Sequence, residues 1–324
     1  MPTRTCSRRE WLAGLSLMAC GRSRADSSPS VDESWRDASR SRDLPVRVRW
    51  PATAAPWPVV LYSHGLGGSR EGGDAWGRAW QAAGLAVVHL QHPGSDSGVL
   101  NEGVARLREA GNAQQLLARV ADVRFAIDEI ERRQRGAASA WSQVRLDALG
   151  LAGHSFGAQT TLAVAGQRFA VPTDLVDRRP IAFIALSPST PVSALPVQQA
   201  FSGIDRPCLV VTGSLDGDPF GSYATGEPRA RVFAGLPAAQ RALLWLDGAD
   251  HMSFSGNAQR RIAGRGPFQR QAVAAALETQ HHALVARITA LWWRAHLLGH
   301  AAARAELAHP SGLAEPDRWV IGNI

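Results

Sequence analysis

Residues 149–157 read Leu-Gly-Leu-Ala-Gly-His-Ser-Phe-Gly, an apolar run that stops at a serine held between Gly153 and Gly157. A strand that must turn sharply into a helix favours residues without a Cβ on either side of the bend, and the residue at the apex is thrust outward. Ser155 at that apex has the placement of a nucleophile. A Gly-x-Ser-x-Gly pentapeptide also occurs in ordinary glycine-rich turns, so the rest of the chain has to supply a base, an acid and donors for an oxyanion.

On both sides of this stretch, from residue 44 onward, short apolar runs alternate with longer helical patterns. The runs are Val46–Trp50, Val59–Ser63, Ala86–Leu90, Leu149–Gly153, Ile181–Leu186, Cys208–Thr212 and Leu243–Leu246. Asn112–Arg133 carries Leu116, Val120, Val123 and Ile127 at the spacing of an amphipathic helix. Phe268–Leu298 repeats that pattern with Val273, Leu277, Leu284, Ile288, Leu291, Ala295 and Leu298, and Gly299 is placed to end it. Alternation of this kind predicts one α/β domain over 44–324, a mostly parallel twisted sheet with helices on both faces.

In open parallel sheets the functional groups gather on loops at the carboxyl ends of the strands. Ser155 follows one such strand. "GSLDGDPF" after Cys208–Thr212 supplies Asp216 and Asp218, and "DGADHMSF" after Leu243–Leu246 supplies His251. A serine hydroxyl is a poor nucleophile until a neutral imidazole takes its proton, and the imidazole needs a carboxylate to fix its tautomer. Ser155, His251 and Asp216 fill those roles in the chain order Ser, Asp, His. Asp216 is preferred to Asp218 because it follows its strand by one tight turn, while Asp247 and Asp250 are expected to shape the histidine's own loop.

An acyl-transfer site also needs two N–H groups aimed at the developing oxyanion. "YSHGLGG" after Val59–Ser63 supplies the glycine-rich turn, with Leu66 N–H as one donor and Phe156 N–H, immediately after the nucleophile, as the other. His64 is read as a brace of that turn, and His154 as a variable position of the bend. "HPGSDSG" at 92–98 is either a wall of the pocket or a surface turn. Further walls are expected from 217–231 and 171–179, and Leu66, Phe156, Met252 and Phe254 suggest an apolar lining or core.

Taken together, "SHGLGG", "HPGSDSG", "GHSFGAQTTLAVAG", "GSLD" and "DHMSF" resemble the bacterial α/β-hydrolases related to platelet-activating-factor acetylhydrolase and to predicted dienelactone hydrolases, over roughly residues 44–308. The resemblance implies an α/β-hydrolase fold and a serine esterase working without a cofactor on small or short-acyl esters. It matches Ser155, Asp216 and His251 to the triad, and Leu66 and Phe156 to the oxyanion positions. Dienelactone hydrolase itself uses a cysteine nucleophile, so serine here argues against the dienelactone substrate. Polyester hydrolases of the same fold typically carry an aromatic residue such as Trp where His154 stands.

Composition narrows the other classes. The 324 residues are 45% apolar, enough for a substantial core. The net charge is +7, and all 35 basic residues are arginine, scattered among acids rather than gathered in a stripe. That pattern describes a solvated surface and predicts no nucleic-acid partner. A zinc site could use His281, His296 and His300 on the last helix, but His296 and His300 lack a carboxylate or cysteine neighbour, so no metal is expected. No obligate protein partner is inferred.

The amino terminus predicts export. Ser7-Arg8-Arg9-Glu10-Trp11-Leu12 resembles a twin-arginine signal and Leu17-Met18-Ala19-Cys20 a lipobox, which implies cleavage after residue 19 and lipid attachment at Cys20. The apolar part, Trp11–Ala19, is about half of what a membrane-crossing helix needs. The expectation is a periplasmic, membrane-anchored lipoprotein with a flexible tether over 20–43 and one remaining thiol, Cys208, in the core.

Overall fold

The computed structural model describes residues 30–136, 139–189, 195–257 and 270–322. Nine strands form one sheet: β1 Ser30–Asp37, β2 Arg42–Arg49, β3 Trp57–Ser63, β4 Ala86–Leu90, β5 Val144–His154, β6 Pro180–Leu186, β7 Cys208–Leu215, β8 Arg241–Asp250 and β9 Arg318–Ile321. Their order is β1-β2-β4-β3-β5-β6-β7-β8-β9. The run from β4 to β8 is parallel, whereas β1, β2 and β9 pair antiparallel at the edges.

Central strands buried on both sides read as near-continuous apolar runs, and β4, Ala-Val-Val-His-Leu, is buried throughout, its one polar side chain, His89, held by Nδ1 at 2.8 Å from Gly72 O. Alternate side chains then feed two cores. On one face Leu61, Val88, Leu151 and Val210 pack with the helices Ala113–Gln134 and Phe156–Ala165. On the other, Val60, Val87, Ile184 and Leu244 meet Trp76 and Trp80 of the helix Asp74–Ala82, and Trp292 and Trp293 of the helix Glu278–His296. The sheet is therefore covered on both sides, as the alternation predicts. Among the described residues no helix is long and apolar enough to cross a membrane.

Two expectations need correction. The tether read over 20–43 does not extend to residue 43, because Ser30–Asp37 is β1 and pairs with β2, Trp35 lying opposite Leu44. Trp35 is the cause. It is 1% exposed, its ring stands 5.6 Å from that of Trp141, and the Arg133 guanidinium lies 4.9 Å from its centre. One large aromatic buried in this way ties the otherwise polar segment to the core. The export signal and Cys20 lie outside the described residues.

The second correction concerns the last helix. It is interrupted at Leu277, which separates Ala272–Ala276 from Glu278–His296, and Val273 is exposed rather than part of the buried stripe. Leu284, Ile288, Leu291 and Ala295 are buried as the spacing requires, and Gly299 follows with φ 67°. Phe268, where the pattern begins, lies outside the described residues.

Candidate active site

The bend at Ser155 is tight for a reason the sequence only half discloses. A Cβ at Gly153 would collide with the Gly157 carbonyl, and one at Gly157 with the carbonyl of Ser63 at the end of β3. The two glycines are needed for close backbone approach rather than for unusual dihedrals. The unusual dihedrals belong to Ser155, at φ 55° and ψ −116°, a region that side chains rarely adopt. This strain lifts the half-buried Ser155 onto a cavity of about 70 Å³, whose lining includes Gly65, Leu66, Leu100, His154, His251 and Met252.

His251 follows β8, at the head of a short turn capped by Asp250, whose carboxylate accepts from Ser253 N–H at 2.9 Å. The ring's Nδ1 lies 3.0 Å from Asp216 Oδ1, so Nδ1–H donates to the carboxylate and Nε2 keeps its lone pair. Asp216 is completely buried at the end of β7. It also accepts from Ser187 Oγ and Thr212 Oγ1, each at 2.8 Å, and pairs with Arg229 Nε at 2.9 Å. Burial opposes ionisation of Asp216, but Arg229 and the bonds from His251 and Ser187 outweigh it and hold the carboxyl below its ordinary range. Burial first, and Arg229 second, hold His251 below the usual imidazole range, so it is neutral at pH 7. Asp218 makes no bond to His251: its Oδ2 accepts from the Ser222 amide.

Leu66 lines the cavity, and Phe156 directly follows Ser155 at the start of its helix. The loop 64–68 leaves β3 and stands against the bend, with Gly65 so close that a Cβ there would lie 3.0 Å from His154 Nδ1. Phe156 is the first residue of its helix, so its N–H has no acceptor within the helix. Loop carbonyls are turned inward. Arg119 NH1 donates to His64 O at 2.7 Å, His64 Nδ1–H to Gly65 O at 2.6 Å, and the Ser97 amide to Gly68 O at 2.7 Å. The His92 amide donates to His64 Nε2 at 3.0 Å, which makes His64 the brace that its position suggested.

Other parts of the reading shift. The segment 92–98 supports the loop from behind instead of lining the cavity, the Gly67 amide donating to Ser95 O at 2.9 Å. The stretch 171–175 borders a separate apolar groove with Leu116, Leu117 and Phe156. Phe254 belongs to the core, its carbonyl accepting from Trp76 Nε1 at 3.1 Å. Cys208 is buried, and burial pushes its thiol up to about 12.

Sequence reasoning missed Ser187, Arg229, Arg119 and the role of His154. His154 Nε2–H donates to His251 O at 3.0 Å, and the two rings lie 4.8 Å apart. It also missed a second Ser-His-Asp arrangement. Ser63 Oγ lies 2.9 Å from His92 Nε2, and His92 Nδ1 lies 3.0 Å from Asp122 Oδ2, all three residues being fully buried. Asp122 is further held by Arg40 NH1 at 2.8 Å and Arg42 Nε at 2.7 Å. A signal existed for Arg119 and Asp122: both are charged residues falling among the apolar positions of Ala113–Gln134.

No protein-family model matches this sequence, and no curated protein matches it. Among solved structures, the chain is similar to a ferulic acid esterase from Streptomyces cinnamoneus, at 20% identity and a TM-score of 0.58, covering 84% of this chain and 89% of that one. It is also similar to a 2,6-dihydroxy-pseudo-oxynicotine hydrolase, at 17% identity and a TM-score of 0.53, covering 84% of this chain and 69% of that one. With the strand order, the parallel centre and helices on both faces, these likenesses give the chain the α/β-hydrolase fold.

Proposed function

We propose that the protein is a serine hydrolase of carboxylic esters with small or short acyl groups. The observation that carries this reading is the shared cavity: Ser155 on its strained bend and His251, tied through Nδ1 to Asp216, open onto the same space. In this reading His251 Nε2 takes the Ser155 proton as Oγ attacks the ester carbonyl carbon. The Leu66 and Phe156 amides receive the oxyanion. Collapse expels the alcohol, protonated by His251, and leaves an acyl-serine that water clears by the same route in reverse.

The apolar walls of Leu66, Leu100 and Met252 beside Ser155 support a small apolar acyl group. That supports the finer kinship with acetylhydrolase-like esterases over lipid or polyester hydrolases. The ferulic acid esterase among the structural neighbours agrees with ester chemistry in general. Matched ester and amide substrates of graded acyl length, assayed in chelator, test the reading, with mass spectrometry of Ser155 after reaction with a fluorophosphonate. Ester turnover that survives chelator, falls with acyl length and labels Ser155 is expected. Faster amide cleavage, or loss of turnover in chelator, overturns it.

Export and lipid attachment at Cys20 belong to the same proposal and rest on "SRREWL" and "LMAC". Replacing Arg8 and Arg9 by Lys should leave precursor in the cytoplasm, and a fatty-acid analogue should label the wild type but not Cys20→Ser.

A further inference from the structure

Arg119 is fully buried, yet among the described residues no carboxylate lies within 4.0 Å of its guanidinium. Asp122, one turn along the same helix, is already taken by His92, Arg40 and Arg42, and Asp96 accepts from Gln91 Nε2 at 2.8 Å. Burying an unpaired cation is unfavourable, and a fold keeps one where its charge or its fork of donors is used. The donors of this fork reach the loop that carries Leu66 and the segment 92–98 that supports it. NH1 donates to His64 O at 2.7 Å, NH2 reaches Gly65 O at 3.4 Å, and Nε donates to Ser95 Oγ at 2.8 Å. The guanidinium also lies 4.5 Å from the centre of the Phe156 ring.

We propose that Arg119 is the positioning residue of the oxyanion site, joining the two elements that present the Leu66 and Phe156 amides and adding a fixed positive charge behind them. This rests on the ester-hydrolase reading. A donor pair acts on a transition state only if it is already in place, because reorganisation during the reaction costs what the hydrogen bonds would contribute. Arg119 fixes the loop by its carbonyls, so it holds the loop without occupying its amides. The neighbouring rings cannot supply the charge. Burial keeps His64 well below its ordinary range and His92 down at about 4, with Arg119 the second cause in each, so both are neutral. Burial lowers Arg119 itself only to about 9, leaving it cationic at neutral pH.

The test compares Arg119→Gln and Arg119→Lys with wild type on p-nitrophenyl acetate, with near-UV circular dichroism to verify the fold and a trifluoromethyl ketone as mimic of the tetrahedral adduct. Arg119→Gln should lose about 100-fold in kcat with KM changed less than about threefold, and Arg119→Lys should recover about tenfold of that loss. Ketone affinity should fall in parallel with kcat/KM, which a merely structural brace would not produce in folded protein. A folded Arg119→Gln with wild-type kcat, or a loss confined to KM, overturns the proposal. Should neither variant fold, Ser95→Ala loosens the fork and carries the test: a kcat lowered about threefold or more supports the proposal, and an unchanged one overturns it. Wild type that neither turns over esters nor labels at Ser155 removes the parent reading, whereas active wild type with an unaffected Arg119→Gln removes only this one.

Discussion

Two serine, histidine and aspartate sets lie among the described residues, and their histidine–carboxylate distances do not distinguish them. His92 Nδ1 and His251 Nδ1 each stand 3.0 Å from their carboxylates, and in the buried set the serine is 2.9 Å from its imidazole. What differs is the backbone and the space. Ser155 sits at φ 55° on a cavity, between a helix start and a glycine loop, whereas Ser63 ends an ordinary strand and is sealed. Fully buried, Ser63 is closed to a substrate carbonyl. The side-chain set alone is therefore a way of holding polar groups in a core. In the proposed reaction, strain, access and oxyanion donors are what set the open set apart from the sealed one.

The largest expected effect breaks the two sets apart. Ser155→Ala should remove esterase activity by about 10⁴-fold or more, since a triad works as a unit. Ser63→Ala should change kcat by less than about tenfold, while costing about 1–3 kcal/mol of stability for the unpaired His92 nitrogen. Comparable kinetic losses in the two variants would erase the distinction. Next, Asp216→Asn should lower kcat by about 10⁴-fold through the wrong histidine tautomer. Asp218→Asn should spare it, because Asp218 bonds only within its own turn, and the reverse result would reassign the acid.

The sealed set should be visible in acid instead. Burial opposes ionisation of Asp122, but the bonds from His92 and Arg42 outweigh it and hold its carboxyl at about 2. A carboxyl depressed in the folded state stabilises fully above its ordinary value of 3.8 and loses that contribution as pH falls toward about 2. The difference amounts to about 2 kcal/mol. Urea titrations between these pH values should show that loss in wild type and a flatter dependence in Asp122→Asn, alongside a lower overall stability.

The smallest effect concerns the open set. His251 is held low by burial and then by Arg229, against Asp216, with Asp218 and the neutral His154 also nearby. Removing the cation in Arg229→Gln should raise the histidine's pKa, so the acid limb of the kcat/KM profile should move to higher pH. A limb that stays in place or moves down would mean that Arg229 acts on Asp216 by position alone.

How much of this was legible follows from where the signals lie. Apolar runs and glycines are written locally, so the central strands and the bend at Ser155 could be read from residue types. The close approach of Gly157 to Ser63 could not, because it joins residues nearly a hundred positions apart. Likewise, Ser187 and Arg229 look like ordinary surface polar residues in sequence, and only the sheet order brings them to Asp216. Trp35 shows the opposite failure: a single aromatic in a polar stretch is easily averaged away, yet it nucleates an added edge strand.

The edge strands also settle which way the molecule faces when it is held. β1 runs parallel to β4, and β9 runs against β8, so Ser30 and Ile321 both stand at the rim opposite the Ser155 cavity. An attachment made through either end of the described domain, to a bead, a fusion partner or a surface, leaves the cavity mouth pointing outward. Immobilised protein should therefore keep its substrate access whichever end is used.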